Sequence, residues 1–214
     1  MNETLSLADP ASRDDLRTFL ERLQRVGQPE VRMVTRGRTL AVYGCTQAPR
    51  GITDAVPVVL AMRAYSLSEE PSAPADATVT GRALLDRIAR LGIAGTELDV
   101  PDMPAMAAWA GVLPPVSGWR AEGSLDAASL RRVAEEGIAR VSDLLPADPG
   151  EAVVHRVRSS VWGSEIAPGV PAAAAFAAEA LGFLDSAPVR LARSLTWTRL
   201  SSDRGHVVVR ALLG

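Results

Sequence analysis

The sequence predicts an α+β protein: an N-terminal three-stranded antiparallel sheet with flanking helices, then a C-terminal three-helix unit closed by a β-hairpin. Three observations carry this. Val31, Met33 and Thr35 alternate with Arg32, Val34 and Arg36, the period-2 spacing of a half-buried strand. Leu16, Phe19, Leu20, Leu23 and Val26 recur at helical spacing. From residue 124 on, three helical patterns are followed by two apolar runs, 195–200 and 206–212, joined by Ser-Ser-Asp-Arg-Gly.

Taken in order, residues 1–11 read as a loose tail. Ser12 caps a helix over 13–26, with Asp14 and Asp15 in its first turn, and Gly27 and Pro29 stop it. Residues 30–45 form a hairpin that turns at Gly37. A two-stranded hairpin is marginal alone, so the run 56–67 pairs with it, with Pro57 at its start. Residues 68–77, rich in Glu and Pro, read as a loop. Thr78 or Thr80 then caps a helix through Leu91, with Leu84, Leu85, Ile88 and Leu91 inward and Gly92 beyond its end. A short strand follows at 96–100, then a short helix carrying Met106 and Trp109.

Residues 111–123, with Pro114-Pro115 and glycines at 111, 118 and 123, read as a linker between a sheet unit (12–110) and a helical unit (124–214), the two sharing one core. In the second unit Ser124 caps a helix to Leu145, with Leu130, Val133, Ile138, Val141 and Leu145 inward. Asp148, Pro149 and Glu151 supply N-cap, first-turn proline and capping-box glutamate for a helix ending near Trp162. Residues 171–184 are Ala-rich with one charge, Glu179, which fits a core or interface helix.

Composition excludes several chemistries. All 23 basic residues are Arg, a bacterial coding bias that leaves no Lys for Schiff bases or phosphate-binding loops. The net charge of −2, with no basic block, gives no strong pull toward nucleic acid. One cysteine, Cys45, rules out an internal disulfide and fits a cytoplasmic protein. Two distant histidines and a single cysteine make no metal site, and no cofactor is expected. No apolar run is long enough for a membrane span, and the N-terminus shows no signal peptide.

The most specific pattern lies on the helix ending at Trp162. Val153, Val154, Val157 and Val161 share one face; His155, Arg158 and Trp162, with Ser159 beside them, share the other. A second face carrying Trp should meet another part of the chain, a partner subunit, or an acidic planar ligand. Arg36 and Arg38, at the hairpin turn, are candidate anion-binding residues or plain solvated charge. Cys45 lacks the adjacent base and orienting group of an activated thiol. Asp99 and Asp102 form the one acidic pair at a strand end. Three helices followed by a hairpin also match winged-helix order, yet the third helix has no Arg, Asn or Gln to read bases.

These features point first to a non-catalytic binding or interaction protein, a homo-oligomer or a subunit of a larger assembly. An enzyme or sensor for a small anionic ligand is the second reading, and a degenerate winged-helix regulator the third.

Overall fold

The computed structural model describes residues 4–51, 54 and 56–211. It divides into two units, Met1–Cys45 with Met62–Leu113, and Thr46–Ala61 with Pro114–Gly214. In chain order the first holds β1 (Thr4–Ser6), α1 (Pro10–Val26), β2 (Glu30–Arg36), β3 (Thr39–Gln47), β4 (Val58–Ser66), β5 (Asp76–Thr80), α2 (Gly81–Ala89), β6 (Glu97–Asp99) and a 3-10 turn at Ala108–Gly111. The last residues of β3 and the first of β4 belong to the second unit.

Helix α1 starts three residues earlier than the pattern suggests. Asp9, not Ser12, is the N-cap: its carboxylate accepts the Ser12 N–H at 2.6 Å. That bond, with one from the Ser12 side chain, holds the Asp9 carboxyl below its ordinary value. Pro10 fits the first helical turn, where no N–H is needed. Leu16, Phe19, Leu20 and Leu23 are buried, and Leu23 reaches into the space that a side chain at Gly44 would fill. Arg13 is buried too. Its Nη1 donates to the carbonyls of Gly92, Ile93 and Gly95 at 2.7, 2.9 and 3.1 Å, and it pairs with Asp14. A buried charge persists only when so satisfied.

The expected tail contains β1. Thr4–Ser6 pairs antiparallel with β6, and Leu5 and Leu7 are buried. The hairpin of β2 and β3 forms with Arg36 opposite Thr39, and Val31, Met33 and Thr35 face inward. Part of the expected loop is strand: β5 pairs with the other side of β2. The Ala75 N–H donates to Thr35 Oγ1 at 2.7 Å, and Asp76 accepts from Arg32 Nε and Nη2, both at 2.9 Å. The fork geometry locks β5 to β2.

The second unit continues with β7 (Arg120–Leu125), α3 (Ala127–Leu144), α4 (Glu151–Trp162), β8 (Glu165–Ala167), β9 (Val170–Pro171), α5 (Ala172–Ala180), β10 (Val189–Ser194), β11 (Trp197–Ser202) and β12 (Gly205–Arg210). Asp126 caps α3, accepting from Ser129 N at 2.8 Å, while Ser124 lies in β7. The inward face of α3 is Ala127, Leu130, Ala134 and Gly137; Ile138 is exposed. Helix α4 begins from Gly150 with no side-chain cap, so Asp148 and Pro149 stay outside it. In α5 six alanines are buried, and their small size lets other elements approach closely.

The predicted architecture is therefore corrected. In place of a three-stranded sheet and a helical unit closed by a hairpin, one eight-stranded antiparallel sheet runs β5-β2-β3-β4-β12-β11-β10-β7, beside two small two-stranded sheets, β1-β6 and β8-β9. The closing hairpin is the inner part of a four-stranded run, because β10 and β7 extend it on the β11 side. Across β10, β11 and β12, Leu191, Leu200 and Val207 align as one buried row. Winged-helix order also fails, since β8 and β9 stand between α4 and α5. The expected strand end at Leu212 lies outside the described residues.

Candidate functional site

The residues of the α4 row have different fates. Trp162 is buried, its ring 4.6 Å from that of Phe176 on α5. It also fills the notch at Gly137, where any side chain would collide with the indole. Its Nε1 has no hydrogen-bond partner among the described residues. Arg158 is exposed. His155 is half-buried, with Nε2 3.0 Å from Asp54 Oδ2 and 3.5 Å from Ser159 Oγ.

Asp, His and Ser in contact invite comparison with a nucleophilic triad, but the geometry is wrong. Both contacts fall on Nε2, whereas a relay needs the carboxylate on one ring nitrogen and the hydroxyl on the other. The contact is better understood as a tether. Burial alone would lift the Asp54 carboxyl. The N–H groups of Arg50 (3.0 Å) and Val56 (3.2 Å), with the His155 imidazole, outweigh it and hold the carboxyl below its ordinary value. Arg50 also reaches Glu151 at 2.7 Å, a second link from the segment before β4 to the start of α4.

In the first unit, Arg38 is committed to the backbone: Nε donates to the Leu67 carbonyl at 3.2 Å and Nη2 to that of Ser68 at 2.5 Å. Arg36 is exposed beside a groove of about 490 Å³ whose walls include Glu70 and Asp76. Those carboxylates oppose an anion there. Asp99 accepts from Thr4 Oγ1 at 2.7 Å and Asp102 lies 3.6 Å from Arg87, so the acidic pair is divided between two partners. Cys45 is fully buried in β3. Among the described residues no cluster of His, Cys, Asp or Glu is placed to hold a metal ion, and no helix is long and apolar enough to cross a membrane.

The feature that sequence reasoning missed is β7. It is an outer strand of the eight, paired among the described residues with β10 alone. Its first five residues are exposed. The register shifts between Leu191 and Ala192, so Glu122 is the extra residue of a β-bulge and Gly123 takes φ +106°. The bulge answers a local problem: Arg120 and Arg193 are directly opposed. Glu122 lies between them, paired with Arg193 through Oε2 and 3.4 Å from Arg120 through Oε1. Arg193 also donates to the Pro168 carbonyl. Nothing in Arg-Ala-Glu-Gly-Ser-Leu alternates in hydrophobicity, because an edge strand this exposed has little to bury. The one available signal is a glycine among small and charged residues beside a turn.

Comparison with solved structures identifies the same architecture in bacterial sliding clamps. The β sliding clamp of Caulobacter crescentus is 13% identical over all of this chain and 66% of the clamp chain, with a TM-score of 0.52. A sliding clamp of Bartonella birtlesii bound to griselimycin is 11% identical over all of this chain and 65% of that one, with a TM-score of 0.51. The chain thus spans just under two thirds of these clamps, and at such identities the likeness is one of fold. No curated protein matches the sequence. Residues 114–213 match a family model described as a domain of unknown function (DUF8185). Residues 1–111 match another, domain of unknown function (DUF8010), and since that is more than half of the 214 residues, the chain belongs to the DUF8010 family.

Proposed function

We propose that this is a non-catalytic interaction protein of the cytoplasm, working as a homo-oligomer or as a subunit of a larger assembly. The observation that carries the reading is the sheet itself: a clamp-like array that ends in a strand, β7, paired on one side only. Open strand edges are sites where another chain can add its backbone. The fold likeness agrees in kind, for the Helicobacter pylori β clamp, with a TM-score of 0.50 and 9% identity, is described bound to a DNA ligase peptide. With a net charge of −2 and no block of basic residues the chain has no strong pull toward nucleic acid, so protein comes first as partner.

Helix α4 offers a second surface. Val153, on α4, and Ile138 and Leu144, on α3, are exposed large apolar side chains, and Arg158 is exposed on α4. Arg is enriched at protein interfaces. A small anionic ligand is less favoured. Of Arg36, Arg38, His155, Arg158 and Trp162, only Arg36 and Arg158 are exposed without a hydrogen bond or ion pair described above, and Trp162 is too buried to stack on a ligand.

Size fractionation of an extract from the source cell tests the assembly reading. The native protein should elute well above the mass of one chain. Elution at single-chain mass would remove a stable assembly.

A further inference from the structure

We infer that β7 is a self-docking strand: two copies of the chain join antiparallel, β7 against β7, about a two-fold axis at Ala121. The inference rests on the interaction reading above and names its partner, a second copy.

The two outer strands of the sheet are treated differently. On β5, the Ala105 N–H donates to the Thr78 carbonyl at 2.8 Å, so the segment before the 3-10 turn covers that edge. On β7, no backbone bond is made on the side away from β10 among the described residues. Natural edges are guarded by proline, charged side chains, bulges or a covering segment. Among the described residues β7 has neither proline nor a covering segment; its guards are the Glu122 bulge and the charges of Arg120 and Glu122. Ala121, Gly123 and Ser124 are small, which lets a second backbone come close.

Charge then selects the register. An axis at Arg120 sets Arg120 against Arg120, and an axis at Glu122 sets Glu122 against Glu122. Both oppose like charges, which destabilises a cross-strand pair. An axis at Ala121 sets Arg120 of each copy opposite Glu122 of the other, twice over. The Arg120 side chain is 80% exposed and among the described residues holds one ion pair, the 3.4 Å contact to Glu122, so it is available to a second carboxylate. Glu122 Oε1, facing Arg120, is the oxygen left for it, because Oε2 is taken by Arg193. Of these three registers, two are opposed by repulsion and the one at Ala121 is favoured by attraction. A six-residue strand buries less than the roughly 1,000 Å² of a stable interface, so the dimer is weak and reversible.

Sedimentation equilibrium of the purified full chain, from about 1 to about 200 μM, tests this. Wild type should approach twice the 22.6 kDa chain mass at the upper end. Arg120→Glu should raise the dimer Kd about tenfold or more, and the double variant Arg120→Glu/Glu122→Arg should restore most of it. Ala121→Lys, at an exposed position on the axis, should weaken the dimer without lowering the monomer's melting temperature. It serves as the measure if the charge variants fold poorly. A chain that stays monomeric throughout, or a dimer indifferent to Arg120→Glu and Ala121→Lys, overturns the inference. A purified monomer whose native form still elutes large in extract would sink self-docking and leave the assembly reading standing; single-chain mass in both would sink both.

Discussion

Gly137 and Trp162 in the second unit each explain the other. The indole occupies the place a Cβ would take, so Gly137→Ala overpacks the α3–α4 contact. It should cost about 1–3 kcal/mol in denaturant unfolding. Trp162→Ala leaves a cavity instead and should cost about 3–5 kcal/mol. Asp54 gives a pH-dependent prediction. Its carboxyl is held below the ordinary value when folded, so the folded state binds that proton less readily than the unfolded one. Its stabilising contribution is full at neutral pH and is lost as pH falls through the carboxylate range. Unfolding free energy measured against pH should therefore drop more steeply in acid for wild type than for Asp54→Asn; parallel curves would show that the bonds accepted by the Asp54 carboxylate, from Arg50, Val56 and His155 together, contribute nothing. Helical spacing in the sequence did place His155, Arg158 and Trp162 on one face. It could not tell that the indole turns inward, because the pocket that takes it is made by a glycine 25 positions earlier.

At the level of elements, legibility followed burial. The strands β2 and β3 alternate because one face is buried, and α1 shows its stripe for the same reason. Of the strands that went unread, β10 is a six-residue inner strand with β11 on one side and β7 on the other, while three more are short or edge-like. β1 has three residues, β5 emerges from a Pro- and Glu-rich segment, and β7 exposes nearly all its side chains. Such strands are specified by partners far along the chain, Asp76 by Arg32 and Glu122 by Arg193, and no local period announces them. The bulge in β7 should be correspondingly sensitive. Gly123 sits at φ +106°, a conformation costly to other residues. Gly123→Val should lower stability by about 1–3 kcal/mol in a thermal or denaturant melt. A neutral outcome would mean that the bulge relaxes freely.

At the largest scale, the central physical fact is a long antiparallel sheet that, among the described residues, covers one of its edges and leaves the other open. The order of its eight strands was beyond the sequence, since it depends on pairings between strands far apart in the chain. For function the sequence offered composition alone: two histidines, no lysine and one cysteine, which is buried. If the open edge is the working surface, its backbone should be protected by a partner. Amide hydrogen exchange across residues 120–125, followed in the purified chain at low and high micromolar concentration, measures this directly. Protection that rises with concentration at β7, and not at β5, is the predicted result; exchange at β7 that stays equally fast at every concentration would contradict it.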